Sequence, residues 1–351
     1  DHTFWANGNL AVENELIRAL ESVNLPVIPV FTDCLKNKNL GSQGLLDCIR
    51  TFFMDCGSPR VSAIINLLST INDPNEPVNE DREPFRMSID LIKELNIPVF
   101  QPIIAYHQSL EEWRTLKGLV DDIPWAVSLP EYDGVIEPVM IGATFEKTGS
   151  DGTRTAIPER CDRVAGRIKR WIRLKNTPKS DRKVVFMLNN SPCHGVEATV
   201  GSASHMNGLQ SMVNILHRLK DEGYTIDEIP ENGQDLIRRI LERRALCEFR
   251  WTTVQDIVAK GGAIAQVPTE DYCKWYDTLE PEFRKSVTST WGDPPGEGMV
   301  FEGKLLITGI SFGNVLVCCQ PKRGCYGPKC DGRVCKILHD PRCPPPHQYL
   351  A

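Results

Sequence analysis

The side chains that could do chemistry in this chain concentrate towards its C-terminal end. Six of the 13 cysteines lie within residues 318–343, and two of the seven histidines follow at positions 339 and 347. The candidate metal ligands, all thiols or imidazoles, are Cys325, Cys330, Cys335, His339, Cys343 and His347. Thiolate and imidazole groups bind zinc, iron–sulfur clusters and related ions, and Gly and Pro favour the turns through which such ligands converge. This composition predicts a metal site.

The spacing of these ligands leaves the kind of site open. Cys325, Cys330 and Cys335 are each separated by four residues, whereas zinc sites more often use closer pairs. An iron–sulfur cluster is possible by count, and the alternative is a loop of reduced thiols. His347 follows three prolines, whose stiff extended backbone would hold it in one direction, as a catalytic side chain or metal ligand requires. The alternative for His347 is an exposed histidine on a Pro-rich segment.

A second group of reactive side chains follows the predicted strand at residues 183–188. The loop after this strand contains Cys193, His194, Glu197 and His205. Ligands of doubly wound sheets bind beyond the carboxyl ends of the strands, and imidazole and carboxylate groups there can bind a metal or move protons. We predict catalytic roles for His194 and Glu197 and a cofactor-binding role for His205. The alternative is a polar loop that caps the next helix.

Continuous apolar segments that alternate with helical patterns predict the fold. The predicted strands lie at residues 26–31, 61–68, 98–105, 125–129, 135–145, 183–188, 304–307 and 314–320. The predicted helices lie at residues 11–23, 45–55, 85–95, 158–174, 206–222, 231–243, 253–260, 271–278 and 281–291. Apolar rather than alternating strands between helices indicate parallel sheets covered on both faces. We therefore predict an α/β protein with two doubly wound (flavodoxin/Rossmann-like) parallel-sheet units and covering helices.

The predicted elements divide the chain into three parts. Residues 1–157 form a first α/β domain that lacks its leading strand, residues 158–182 a linking helix, and residues 183–351 a second α/β domain with a Cys/Pro-rich tail. The chain opens on Asp rather than Met, before a helix, and we expect it to be a piece of a longer polypeptide.

Composition argues against several classes of function. A net charge of −6 disfavours nucleic-acid binding, and the sequence contains no apolar run of about 18 residues that would predict a membrane span. An odd number of cysteines without a secretory signal favours a cytoplasmic location. The phosphate-binding pattern Gly-x-x-x-x-Gly-Lys-Ser/Thr is absent, so we do not expect this chain to hydrolyse ATP.

Several stretches of the chain together resemble the large subunit of cobaltochelatase and of magnesium chelatase. The stretches that carry this resemblance are 7–17, 25–31, 129–136, 291–296, 309–317, 320–321 and 339–351. The ending His-Asp-Pro-Arg-Cys-Pro-Pro-Pro-His is more similar to the cobalt branch. The Cys193–Glu197 loop and the cysteines at 325, 330 and 335 depart from the common pattern of the family, which leaves a distinct metal or a redox-linked role open.

The resemblance implies a function and a set of partners. The substrate would be a tetrapyrrole, either a corrin or a porphyrin, and the inserted metal Co²⁺ or Mg²⁺. ATP and its Mg²⁺ would act on partner subunits, an AAA+ ATPase and a subunit of the metal-ion-dependent-adhesion-site type. Asn314 and Gln320 lie within the matching stretches 309–317 and 320–321 and become candidate cofactor-binding residues. The alternative is a non-catalytic α/β binding module with a structural zinc or iron–sulfur centre.

Metal insertion requires removal of the water shell of the metal and of two pyrrole protons. A neutral histidine or a carboxylate can bind the metal transiently and accept the protons. We expect His347, together with His194, Glu197 and His205, to supply these groups. Because the large subunit of the family is much longer than this chain, we expect the fragment to be inactive alone.

Overall fold

The computed structural model describes residues 2–32, 43–68, 93–116, 118–119, 121–144, 152–190, 199–248, 252–321, 323–324, 340 and 342–351. It divides into two compact units, Asp1–Asn176 and Thr177–Ala351. Each unit contains helices, short sheets and its own apolar clusters. The α/β class predicted from the sequence is therefore confirmed.

The first unit is organised around one long helix. Its helices are α1 His2–Ala6, α2 Ala11–Ser22, α3 Leu45–Cys48, α4 Leu110–Leu116, α5 Leu129–Tyr132 and α6 Pro158–Asn176, with π-helical turns at Ile49–Phe53 and Pro124–Ser128. The buried face of α6 carries Cys161, Val164, Ala165 and Ile168, at helical spacing, and packs in one cluster with α2. The segment expected to link the two halves thus contributes most of its length to the core of the first unit.

The sheets of the first unit are short and mixed in direction. Its strands are β1 Met54–Asp55, β2 Ser58–Pro59, β3 Ile64–Ile65, β4 Val99–Phe100, β5 Ile103–Ala105, β6 Met140–Thr144 and β7 Arg154–Ala156. Strand β3 pairs with β4 in parallel and β5 pairs with β6 in parallel, but β7 runs antiparallel to β6 and β1–β2 is an antiparallel pair. An isolated parallel bridge between Phe100 and Ile136 joins β4 to the chain before β6, and the predicted doubly wound order is not confirmed among the described strands of this unit.

Two predicted strands of the first unit are wrong. Residues 26–31 have no regular secondary structure and pair with no described strand. Residues 125–129 are helical, because Pro124 occupies the first turn of a π-helical segment that continues directly into α5. Proline is compatible with the first turn of a helix, where its missing N–H would have no partner.

The second unit contains two three-stranded sheets. Its strands are β8 Val184–Leu188, β9 Ser202–Ala203, β10 Met206–Asn207, β11 Ala263–Pro268, β12 Val300–Phe301, β13 Lys304–Thr308, β14 Ile310–Phe312 and β15 Val315–Cys319. Strand β15 lies between β8, which is parallel to it, and β14, which is antiparallel. Strand β13 lies between β11 and β12, both antiparallel. The predicted doubly wound parallel sheet is therefore not found among the described strands of this unit either.

Four of the six α-helices described in the second unit begin at side-chain caps. They are α7 Gly208–Asp221, α8 Gly233–Glu242, α9 Val254–Ala259, α10 Thr269–Tyr276, α11 Pro281–Trp291 and α12 His347–Leu350. Asn207 and Asn232 accept hydrogen bonds from backbone N–H groups of the first turns of α7 and α8, and Thr253 forms a capping box with Asp256 before α9. These caps satisfy N–H groups that have no partner within the helix.

Strand β11 was missed by the sequence analysis. Its residues alternate irregularly between half-buried and exposed, and its pairing with β13 contains a register shift between Ala263 and Ala265. A broken alternation of this kind hides the two-residue period of a strand.

Within the described residues, no helix has both the length and the apolar character needed to cross a membrane.

Candidate functional site

His347 is held at both of its ring nitrogens. It is the first residue of α12, and only 1% of its surface is exposed. Its Nδ1 lies 2.9 Å from the hydroxyl oxygen of Tyr272, and its Nε2 lies 2.9 Å from the carbonyl oxygen of Gly292. A carbonyl only accepts, so Nε2–H donates to Gly292 and Nδ1 accepts from the Tyr272 hydroxyl. This arrangement selects one neutral tautomer.

The surroundings of His347 favour the same uncharged state. The rings of Tyr272 and Tyr276 meet the imidazole edge-on, with centroids at 5.8 Å and 5.1 Å. Burial lowers the pKa of His347, against smaller opposing effects of the Gly292 carbonyl and Asp293. A metal could reach either nitrogen only after one of the two hydrogen bonds had been broken.

Gly296 shows how closely the backbone approaches this imidazole. Its φ is +75°, and a β-carbon added there would lie 2.9 Å from Cδ2 of His347. Only glycine adopts such a backbone conformation readily, and only glycine leaves room for the ring. His347 therefore fastens the C-terminal segment to α10 and to the chain that follows α11.

Asn314 and Gln320, expected to bind a cofactor, do not share a site. Asn314 precedes β15, and its side chain donates to the carbonyl of Ser180 at 2.7 Å. Gln320 follows β15 and donates to the hydroxyl of Tyr349 at 3.0 Å. Six residue steps of about 3.3 Å place the two residues about 20 Å apart, at opposite ends of the strand. Of the two, Gln320 lies at the carboxyl end of β8 and β15.

The remaining predicted residues divide into described and undescribed groups. His205 is exposed, has a φ of 58° and forms part of the turn between β9 and β10. Cys343 is half-buried, and its thiol donates to the carbonyl of Pro344 at 3.7 Å. The predictions for His194, Glu197, Cys325, Cys330, Cys335 and His339 lie outside the described residues. Within the described ranges, no three or more His, Cys, Asp or Glu side chains are grouped to hold a metal ion.

A histidine that the sequence analysis did not single out lies at the end of β5. Asp122 is 4% exposed, and its Oδ2 accepts hydrogen bonds from the backbone N–H groups of Tyr106 and His107 at 3.0 and 3.2 Å. Its Oδ1 lies 2.7 Å from Nδ1 of His107. A buried carboxylate is costly unless it is hydrogen-bonded, and these contacts satisfy it.

The pairing with Asp122 sets the tautomer of His107. An ionised carboxylate only accepts, so Nδ1–H donates and Nε2 carries the lone pair. The His107 side chain is 59% exposed, and Nε2 has no partner among the described residues. An imidazole oriented by a carboxylate, with its other nitrogen open, can accept a proton or bind a metal.

An aromatic surface adjoins His107. Tyr106 is 52% exposed, and its ring centroid lies 6.1 Å from that of Phe4. The hydroxyl of Thr144 donates to the carbonyls of Ala105 and Tyr106, at 2.9 and 3.1 Å, and so fixes the chain after β5. Desolvation raises the pKa of the Tyr106 hydroxyl, which keeps it neutral at physiological pH. The Arg154 guanidinium lies over the Phe4 ring, 3.6 Å from its centroid, so Tyr106 is the ring of this pair that a planar apolar ligand could contact.

One signal in the sequence could have pointed to His107. The predicted strand at residues 98–105 ends directly before Tyr106 and His107, and ligands of α/β sheets bind beyond the carboxyl ends of strands. The position of Asp122 could not be found in this way, because it lies 15 residues further along the chain, next to a segment predicted to be a strand.

The whole chain, residues 1–351, matches the sequence model of the CobN/Magnesium Chelatase family. The chain therefore belongs to this family. An uncharacterized protein of Methanocaldococcus jannaschii is 44% identical over 99% of this chain, which corresponds to 29% of that relative. An aerobic cobaltochelatase subunit CobN of Pseudomonas aeruginosa is 29% identical over 79% of this chain and 21% of the relative.

A solved structure of a cobaltochelatase subunit has a similar fold. The catalytic subunit of cobaltochelatase from Mycobacterium tuberculosis superposes with a TM-score of 0.70 at 24% identity, over 98% of this chain and 27% of that chain. At this identity the likeness shows a shared fold. The chain spans less than a third of the length of the relatives and of the solved structure that it matches.

Proposed function

We propose that this chain is part of the large subunit of a metal chelatase, which binds a tetrapyrrole and inserts a divalent metal ion into it. The observation that carries the proposal is the family match over residues 1–351, which includes both compact units. The similarity to relatives that are named as cobaltochelatase and magnesium-chelatase subunits supports the same reaction class. The alternative of a non-catalytic module with a structural zinc or iron–sulfur centre gains no such support.

ATP would be consumed by partner subunits rather than by this chain. The sequence lacks the phosphate-binding pattern of nucleotide hydrolases, so the energy would come from an AAA+ ATPase that holds ATP and Mg²⁺. A subunit of the metal-ion-dependent-adhesion-site type would complete the complex, which we expect in the cytoplasm. The chain covers less than a third of its relatives, so we expect it to be inactive alone.

Cobalt is the metal that we propose first, with a corrin precursor as its acceptor. The closing segment 339–351 is more similar to the cobalt branch of the family, and a cobaltochelatase subunit is among the relatives. Magnesium and a porphyrin are the second pair, supported by a magnesium-chelatase subunit of Oryza sativa that is 25% identical over 96% of this chain.

The residue roles expected from the sequence stay predictions. His194 and Glu197 remain candidate proton acceptors, and the cysteines at 325, 330 and 335 remain candidate ligands of zinc or of an iron–sulfur cluster. For His347, the hydrogen bonds to Tyr272 and Gly292 support a role in anchoring the segment rather than in direct metal ligation.

The test uses the intact large subunit with its partner subunits and ATP. Corrin and porphyrin binding is measured by fluorescence quenching, and insertion of Co²⁺ and of Mg²⁺ is followed by absorbance. We expect one matched pair of metal and macrocycle to react, and only in the presence of ATP. A complex that binds neither macrocycle and inserts neither metal would refute the proposal. The same mixture without the large subunit is the control for spontaneous insertion.

A further inference from the structure

We propose that His107, oriented by Asp122, is a proton acceptor in metal insertion, and that the macrocycle binds beside it at the carboxyl end of β5. This inference rests on the proposed chelatase function. His107 lies in the first unit and is not among the residues that the sequence patterns single out.

The first argument is that the fold does not need the side chain of His107. Asp122 already accepts two backbone hydrogen bonds, from Tyr106 and His107, which hold the turn after β5. The imidazole adds a third contact at 2.7 Å, yet 59% of its side chain is exposed, so it contributes little apolar burial. A polar ring that is oriented at one nitrogen and open at the other is suited to reaction rather than to packing.

The second argument is the shape of the adjoining surface. Tyr106, the residue before His107 in the chain, is half exposed, and its ring lies near that of Phe4. A tetrapyrrole is a flat π-system, which gains offset or edge contacts with such rings. In this proposal the macrocycle contacts the ring of Tyr106 and directs its inner N–H groups to Nε2 of His107.

The chemistry balances without an oxidant or a reductant. The incoming divalent ion forms bonds to ring nitrogens as inner N–H bonds break, two in a porphyrin and one in a corrin, and its oxidation state does not change. The lone pair at Nε2 of His107 takes one pyrrole proton, and the carboxylate of Asp122 stabilises the resulting imidazolium. The exposed ring then releases this proton to water and, in a porphyrin, is ready for the second.

The test measures insertion by the intact subunit assembled with its partner subunits, with His107→Ala and His107→Gln as variants. Glutamine keeps a donor for Asp122 but accepts no proton at neutral pH. We expect both variants to lose insertion by about 100-fold or more, since general bases contribute about 10²–10⁴-fold. Affinity for the macrocycle stays at the parental value, and added imidazole restores insertion by His107→Ala.

Asp122 is a positioning residue in this scheme. Asp122→Asn leaves an oxygen for the backbone N–H groups but removes the charge that stabilises the imidazolium. We expect kcat to fall about 10-fold to 100-fold, as for other groups that orient a reactive histidine, with KM unchanged. A purely structural role would instead raise KM or lower the yield of folded subunit. The matched control is His217→Gln, on the exposed face of α7, which leaves insertion unchanged.

Each outcome separates this inference from the function on which it rests. Parental rates in both His107 variants, within a complex that inserts metal, would overturn the role of His107 and leave the chelatase function standing. Loss of insertion together with loss of macrocycle binding, or without rescue by imidazole, would also overturn proton transfer at His107. An unmodified complex that inserts no metal would overturn the proposed function, and this inference with it.

Discussion

His107 in the first unit and His347 in the second show two opposite ways in which a fold uses an imidazole. His107 has one nitrogen bonded to a buried carboxylate, while 59% of its side chain is exposed. His347 has both nitrogens bonded, is 1% exposed and packs against two tyrosine rings. The first ring is oriented but open, and the second is enclosed.

The difference teaches that immobility alone does not identify a reactive histidine. Proton transfer or metal binding needs a lone pair that substrate can reach, and His347 offers none without losing a hydrogen bond to Tyr272 or Gly292. The imidazole of His347 faces the interior of the second unit, where Tyr272 and Gly292 hold it. We therefore expect substitutions at His347 to lower stability and substitutions at His107 to lower the rate of metal insertion.

The largest effect on stability is expected from His347→Ala. The substitution leaves a cavity and removes the partners of the Tyr272 hydroxyl and the Gly292 carbonyl, so we expect a loss of about 3–5 kcal/mol in the free energy of unfolding. Urea unfolding of the chain measures this loss. A variant whose urea unfolding midpoint equals that of the parent would show that His347 does not anchor the segment.

The next largest effect is expected from Gly296→Ala, with Gly303→Ala as its matched control. Both glycines have positive φ, +75° and +72°, but only the β-carbon at position 296 would meet His347. The control should cost about 1 kcal/mol from backbone strain, and Gly296→Ala about 1–2 kcal/mol more from the contact. Equal losses of stability in the two variants would show that the His347 ring can move aside and is not tightly enclosed.

Acid should weaken the second unit through His347, by less than either substitution. Burial lowers the pKa of His347 in the folded protein, whereas the unfolded chain titrates near the usual value of about 6.5. Below that pH the unfolded chain binds a proton that the folded chain resists, so the free energy of unfolding falls as pH drops. Unfolding curves of the parent and of His347→Gln, taken between neutral and mildly acidic pH, measure this. We expect the free energy of unfolding to fall more steeply with decreasing pH in the parent than in His347→Gln.

The smallest effect on stability is expected from His107→Ala. The ring is largely exposed, and Asp122 keeps its two backbone donors, so the free energy of unfolding should change by no more than about 1 kcal/mol. Thermal unfolding of the same variant used for the insertion assay checks this. A loss as large as that of His347→Ala would mean that the two histidines have the same structural role.

Much of the second unit could be predicted from apolar periodicity. Helix α8 and strand β8 lie where the patterns placed them, within two residues, because each buries a regular set of apolar side chains. The segment 125–129 could not be assigned in the same way, since a short apolar run fits a strand and a helix equally well. These residues are helical because Pro124 lies in the first turn of the segment and the chain continues directly into α5.

The candidate sites could be predicted only in part. The strand end before His107 was recognised from the sequence, but its chemistry was not, because Asp122 lies beyond α4 in the chain. Asn314 and Gln320 were both candidates because they lie in stretches that resemble the chelatase family, yet β15 places them at its opposite ends.

The amino-acid sequence by itself determined the α/β class, the principal helices of the second unit and the resemblance to chelatase large subunits, which the family match confirms. These depend on local periodicity and on short motifs, which persist whatever the rest of the chain does. Only the tertiary structure decided which imidazole is open and which is enclosed. The partners of His107 and His347 lie 15, 55 and 75 residues away, and hydrogen bonds over such separations form only when the chain folds back on itself.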